Sequence, residues 1–289
     1  MAGEIQVNSV TALTESGSNI VLNNVNSATN RTNLGLGSMA TQNANAVALT
    51  GGSITGTTIV PTTPFSFRNK IINGNLTNPI KQRGISTITG ATGYTYDRWY
   101  YDGTTYLYQG IEDKNVNNGT YVISWEGSGI NAAWKVSTDT TANNGPDATT
   151  GFTSVSNGGT FTVNEGTEYS KHLWIRFDGT LANLDKVMVE EGTVATPFEH
   201  RPYGTELSLA QRYYEAPPDG DAGSIIFGVS AVTGTHRGTY SFKQSKRATP
   251  TIGYSSISGS VLSISTDYVV IQRTNDNAEI SGMKLSAEL

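Results

Sequence analysis

The stretch KHLWIRFDG, residues 171–179, alternates with a period of two. Leu173, Ile175 and Phe177 fall on one side of an extended chain, and His172, Trp174 and Arg176 fall on the other. Its neighbours behave the same way. TYVISWE (120–126) aligns Tyr121, Ile123 and Trp125, and TFTV (160–163) aligns Phe161 and Val163. NLDKVMVEEG (183–192) has the look of a closing strand. Turn clusters separate these runs: NVNNGT, TTANNGPD and SNGG. Short strands at this spacing predict a jelly-roll-like β-sandwich over residues 65–204.

Upstream the composition changes abruptly. Residues 1–64 contain no aromatic side chain, and only Glu4, Glu15 and Arg31 carry charge; all 26 aromatics follow Phe65 or include it. Such a stretch lacks the residues that supply the largest single burials. It reads either as a low-complexity arm or as an extended segment that buries its apolar residues against other chains. Ile5, Val7, Val10, Leu13, Ile20, Val21, Leu22 and Val25 recur too often for a solvated linker and favour the second reading.

Downstream, residues 205–289 read as a second, smaller β-domain, with strand candidates such as SIIFGVSAV, GTYSFKQ, SVLSIS and DYVVIQR. Between the two β-regions lies VATPFEHRPYGTELSLAQRYYEAP (194–217), the one run with helical character. Thr205 is its candidate N-cap, and Leu207, Leu209 and Tyr213 or Tyr214 sit at helical spacing. It reads as a junction whose aromatics pack between two modules. The fold class is all-β: an extended N-terminal segment, a sandwich and a small distal β-domain.

Composition excludes several function classes. Charged residues make up 15% of the chain against ~25% in an average protein, and the net charge is −5. That balance gives no reason to expect a nucleic-acid partner. No run of ~18 apolar residues suggests membrane insertion. There is no cysteine, so thiolate metal sites and disulfides are excluded. The start MAGEIQVNSV lacks the basic and apolar regions of a signal peptide, so ordinary secretion is not expected.

Four segments resemble bacteriophage tail fibre proteins. TNLGLGSMATQNANAVALTGGSITGTTI (32–59) is similar to the trimeric shaft of such fibres. NKIINGNLTNPIKQRGISTITGATGYTYDRWYYDG resembles the opening of their sandwich module, with I-N-G-N at Ile72–Asn75, Q-R-G at Gln82–Gly84 and D-R-W at Asp97–Trp99. VEEGTVATPFEHRPYGTELSLAQRYYE resembles the module's end, and RATPTI (247–252) a segment of the distal domain. Two departures are visible: Ile80-Lys81 stand before Q-R-G, and Ala210 stands where a cysteine is frequent. The resemblance implies a homotrimer made in the bacterial cytoplasm and carried on the virion. Residues 1–64 would be held by a phage tail or baseplate protein, and the distal β-domains would recognise host surface polysaccharide or another surface receptor. The alternatives are an adaptor or baseplate-associated fibre that binds another phage protein, and a polysaccharide-degrading tailspike.

Enzymatic chemistry finds little footing. Glu190 and Glu191 are adjacent and would point apart on a strand, and Glu112 and Asp113 are likewise neighbours before a turn, unlike the ~5–9.5 Å pair a glycosidase needs. No nucleophile elbow, Walker loop or zinc-protease motif occurs. His172, His200 and His236 show no ligand spacing, so no metal or cofactor is expected. For binding, a pyranose asks for an aromatic face plus hydrogen-bonding side chains. His172, Trp174 and Arg176 share one strand face and have that chemistry, unless the face packs against a neighbour. In the distal domain the candidates are His236, Arg237 and Tyr240 in TGTHRGTY, and Asn275, Asp276 and Asn277 in RTNDNAE. Arg98 and Trp99 read as structural, a buried Trp beside an Arg–Asp pair that locks a strand start. Arg201 reads as stacking on aromatics or pairing with a carboxylate at the junction.

Overall fold

The computed structural model describes residues 4–7, 10–16, 19–22, 67–137, 150–164, 172–216, 224–227, 234–274 and 278–288. The chain forms two compact units, Met1–Val60 and Pro61–Leu289. In the first, β1 (Glu4–Val7), β2 (Val10–Ser16) and β3 (Asn19–Leu22) make an antiparallel meander. Its register sets Ile5 opposite Leu13 and Leu13 opposite Leu22, one apolar row across three strands.

The second unit opens with the sandwich. Its strands are β4 (Gly93–Tyr94), β5 (Tyr100–Tyr101), β6 (Leu107–Ile111), β7 (Gly119–Glu126), β8 (Ile130–Ser137), β9 (Thr153–Val155), β10 (Thr160–Val163), β11 (His172–Gly179) and β12 (Asp185–Glu191). They form a six-stranded sheet, β4-β5-β6-β11-β8-β9, and a three-stranded sheet, β10-β7-β12. From β6 onward each step except β8 to β9 switches sheets, so the two layers close over one core. The alternation seen in the sequence fills it. Leu173, Ile175 and Phe177 from one sheet meet Tyr121, Ile123, Phe161 and Val163 from the other, and all seven are buried. Aromatic packing centres this core. Trp134 and Tyr121 stack on Phe161 at 4.8 and 5.8 Å, and the Trp125 ring meets Phe177 edge-on at 5.7 Å.

After the sandwich comes α1 (Tyr203–Gln211), and then the distal strands. These are β13 (Tyr214–Glu215), β14 (Ser224–Phe227), β15 (Thr235–Ser241), β16 (Thr251–Gly253), β17 (Ser256–Ser258), β18 (Ser260–Ile264), β19 (Tyr268–Thr274), β20 (Ala278–Ser281) and β21 (Lys284–Ser286). Three small antiparallel sheets result, β13-β21-β16, β14-β20-β17 and β15-β19-β18, around Val269, Ile271, Ile280, Met283 and Leu285. Among the described residues α1 is the single α-helix, and the protein is all-β in class. Two helix details correct the sequence reading. Pro202, not Thr205, occupies the N-cap, and its carbonyl accepts from the Thr205 and Glu206 amides at 2.9 and 3.1 Å. The buried helical residues are Ala210 and Gln211, with Leu207 and Leu209 only half-buried.

Buried charge ties the segment 194–216 to both the sandwich and the C-terminal end of the chain. Arg212 pairs with Glu112 at 2.9 Å, and the Tyr213 hydroxyl donates to the same carboxylate at 3.1 Å. Burial alone would raise the Glu112 carboxyl, but the Arg212 hydrogen bonds and charge, with the Tyr213 hydroxyl, pull it below its usual range. Tyr213 and Tyr214 each lie under a guanidinium, of Arg98 and Arg83 respectively, at 3.6 Å. Both arginines converge on the Glu288 carboxylate from the far end of the chain. Arg98 therefore pairs with Glu288, not with Asp97 as the D-R-W reading has it. Asp97 instead accepts from the Gln82 side chain at 2.8 Å and lies 3.8 Å from Arg83. Trp99 is buried as read, and its ring N–H donates to the Asn73 carbonyl at 2.9 Å. The I-N-G-N, Q-R-G and D-R-W residues thus form one structural knot between the sandwich and the C-terminal strands.

Candidate functional site

Candidate chemistry gathers on the outer face of β11. His172, Trp174 and Arg176 share that face, with Arg176 opposite Tyr108 on β6 and Ala133 on β8. The face is not an open platform, however. Trp174 is 0% exposed and packs with Tyr108, while Tyr100, Tyr106 and Phe152 cover the pair as half-buried rings. A sugar cannot stack on an indole that protein already encloses, so Trp174 supports the surface from beneath. His172 is also buried, and its Nδ1 accepts from the Asp113 amide at 3.2 Å. Burial, followed by the Arg247 charge, holds its pKa below the usual value, which keeps the imidazole neutral.

What the face presents is an aromatic ladder with cations on it. Tyr94, Tyr100, Tyr108 and then Tyr106 and Phe152 follow one another with ring centroids 5.3 to 6.4 Å apart. The Arg176 guanidinium sits 4.2 Å from the Tyr106 ring and 4.7 Å from Phe152, and the Lys135 ammonium lies 5.3 Å from Phe152. Lys135 also donates to the Thr150 carbonyl at 3.3 Å, which tethers the segment that carries Phe152.

Local structure explains how Tyr106 reaches this position. The Asp102 carboxylate accepts the backbone N–H groups of Thr104, Thr105 and Tyr106 at 2.8 to 3.0 Å, closing a tight turn. Burial would raise this carboxyl, but those amides hold it below the ordinary range. Gly103 has φ 85°, and an added Cβ would lie 2.2 Å from the Thr92 hydroxyl, so no other residue fits the turn. The arrangement gathers half-buried rings, a planar cation and a compact cation on one face of the sheet. That is the chemistry for holding a sugar by its apolar face and its hydroxyl or acidic groups.

The distal candidates have different fates. Arg237 is exposed on β15, its Nε 3.4 Å from the Gln272 side-chain oxygen. Alternation puts Tyr240 on the opposite face of that strand, where its hydroxyl donates to buried Glu215 at 2.7 Å. Glu215 in turn meets the Lys246 ammonium at 2.5 Å, and both are fully buried. The Tyr240 hydroxyl is therefore engaged by a buried carboxylate, and its ring is half-buried. The backbone of His236 stands opposite Arg273 on β19. Asn275, Asp276 and Asn277 lie outside the described residues.

The Glu190–Glu191 pair lies at the end of β12, whereas Glu112–Asp113 lies in the turn that follows β6. Glu190 is buried against Thr196 and Arg68, whereas its neighbour Glu191 meets Lys70 at 3.3 Å. Sequence reasoning passed over Tyr100, Tyr106, Lys135 and Phe152. The two-residue step from Tyr106 to Tyr108 was the available signal for half of this surface. Phe152 stands just before β9, and no pattern announced it. Among the described residues no three His, Asp or Glu side chains cluster around a possible ion position, and no helix is long and apolar enough to cross a membrane. Comparison with protein-family models, curated proteins and solved structures finds no match for this chain.

Proposed function

We propose that the chain is a non-enzymatic tail fibre of a bacteriophage virion that binds host surface polysaccharide during adsorption. The aromatic–cation ladder of Tyr100, Tyr106, Phe152, Arg176 and Lys135 carries this reading, because it pairs ring faces with fixed positive charge on a rigid sheet. The resemblance of the four sequence segments supplies the virion context. The aromatic-free segment 1–64 is the part suited to assembly with two further copies and to attachment on a tail or baseplate protein. Three copies on several fibres would turn weak single contacts into firm adhesion, since linked sites gain ~10²–10⁴ in avidity.

The test is competition for adsorption. Soluble full-length chain should block attachment of the parent phage to its host. The Tyr106→Ala/Phe152→Ala chain should need at least roughly tenfold more, since each ring contact is worth about 1 kcal/mol. Equal blocking by both chains overturns the assignment to this face. Failure of the variant phage to assemble particles, with the soluble variant chain blocking attachment as well as the wild type, would favour the adaptor reading. Release of soluble sugar from purified host polysaccharide would favour the tailspike.

A further inference from the structure

A second concave site lies away from the ladder, where the I-N-G-N loop meets the segment before α1. The cleft has a volume of about 200 Å³ and is lined by Asn69, the loop Asn73–Asn75, Asn78, Ile80 and the run Phe198–Arg201 with Tyr203 and Glu206. Its floor is built rather than incidental. The Arg201 side chain is 6% exposed, donates to the Ile71 carbonyl at 3.2 Å and pairs with Glu206 at 3.0 Å. Its buried Nε has no hydrogen-bond partner among the described residues. Glu199 accepts the Asn69 amide at 2.9 Å, and Glu206 accepts the Asn73 amide.

The wall owes its shape to Gly74. Asn73 adopts a left-handed φ of 61°, and a Cβ on Gly74 would lie 2.3 Å from the Val187 carbonyl oxygen. The loop is thereby pressed onto β12, and Asn75 and Asn78 are held at the rim. Tyr203 is 65% exposed at the mouth, and the Phe198 and His200 rings meet edge-to-face at 5.1 Å. The Asn78 side-chain amide, the His200 imidazole and the Tyr203 hydroxyl make no hydrogen bond among the described residues.

We propose that this cleft binds a single uncharged sugar ring. Three observations choose that class. Volume comes first: about 200 Å³ is below the ~300–1,000 Å³ of drug-sized sites, enough for one ring and too little for a length of chain. Second, the cleft mixes amide donors, carboxylate acceptors and aromatic rings, which match a pyranose with hydroxyls on its rim and C–H groups on its face. Third, two carboxylates stand against one guanidinium, so an acidic sugar is repelled here, whereas the ladder with Arg176 and Lys135 attracts one. The cleft is therefore a site of different preference, independent of the virion assignment.

Saturation-transfer NMR with free glucose, galactose, mannose, N-acetylglucosamine and glucuronate tests this directly. It is run on full-length chain already carrying Tyr106→Ala and Phe152→Ala, so that the ladder contributes nothing. At least one neutral sugar should show transfer with a dissociation constant on the order of 1 mM, and glucuronate should not. Adding Tyr203→Ala or Asn78→Ala should each weaken binding at least about tenfold, with Tyr203→Trp retaining it. Both side chains are exposed, so an unchanged thermal midpoint accompanies a valid result. Absence of transfer from every neutral sugar, equal binding of glucuronate, or survival of binding in either alanine variant overturns the proposal. None of these outcomes depends on phage adsorption, so failure here and failure of the fibre reading are separable.

Discussion

At the scale of single residues, Asn73 shows how a motif position is fixed by structure. Its amide donates to the carbonyls of Ile80 and Asp97 at 3.0 and 2.9 Å, and its oxygen accepts the Ile80 amide at 2.7 Å. Asn73→Ala loses all three bonds and places a Cβ residue without polar compensation at a left-handed φ. Asn73→Gly loses the bonds alone. Chemical denaturation should find both destabilised by about 1–3 kcal/mol through the unpaired backbone groups, with alanine worse by about 1 kcal/mol. Asp97 gives a pH prediction. Burial raises its pKa from 3.8 to about 6, against the lowering effect of Gln82 and Arg83. The folded state thus holds the proton more tightly than the unfolded chain. Its stabilising contribution is complete below the unfolded value and is lost as pH rises through the folded one. Relative to Asp97→Asn, the wild-type unfolding free energy should fall by roughly 1–3 kcal/mol between about pH 4 and pH 6. Glu112, with its lowered pKa, acts in the opposite sense and only at more acidic pH. A flat difference between the two proteins across the window would refute the Asp97 account.

At the scale of elements, β11 and β7 are each an interior strand, paired on both sides, and β11 is covered on both faces. β9 and β16 are three-residue edge strands with half-buried or exposed residues. Hydrogen exchange followed by mass spectrometry should therefore find β11 and β7 amides opening only near the global unfolding limit, with β9 and β16 exchanging first. Comparable rates in all four would contradict this ranking. The same elements show what the sequence discloses. A period of two is local, so Leu173, Ile175, Phe177, Phe161 and Val163 could be assigned to the core from the chain alone. The cover over Trp174 could not, because Tyr106 and Phe152 come from separate loops whose approach no periodicity encodes. Arg98 was assigned to its neighbour Asp97 because its partner Glu288 is 190 residues away. The helix start was misplaced because Thr205 satisfies the N-cap pattern, although Pro202 with its extended backbone ends the preceding segment first. The cleft was illegible for the same reason as the Arg98–Glu288 pair, since it needs residues 69–80 and 198–206 together.

At the scale of the whole molecule, buried charge pairs tie the sandwich to the C-terminal strands. Glu288 faces Arg83 at 2.9 Å and also meets Arg98, and Glu112 faces Arg212 at 2.9 Å. Glu288→Ala would leave two guanidiniums buried without their shared anion, a change that costs about 3–5 kcal/mol. Calorimetry should show residues of both modules unfolding in one transition in the wild type and in two after this substitution. A single unshifted transition would mean the joint is not what couples them. The unit Met1–Val60 raises a different question, since its described part is a three-stranded meander in a segment without aromatics. A three-stranded sheet is stable only when its apolar face is covered, and in the proposed fibre that cover comes from two other copies. Light scattering on the full-length chain should then report a mass near three times 30.8 kDa, and a chain beginning at Pro61 should lose most of that association. If both stay at the mass of one chain, residues 1–60 do not assemble with copies of themselves and the trimeric fibre reading fails. If both are trimeric, the contacts lie in Pro61–Leu289, and exposed Tyr254, Leu262 and Tyr268 on the tip become the residues to substitute next.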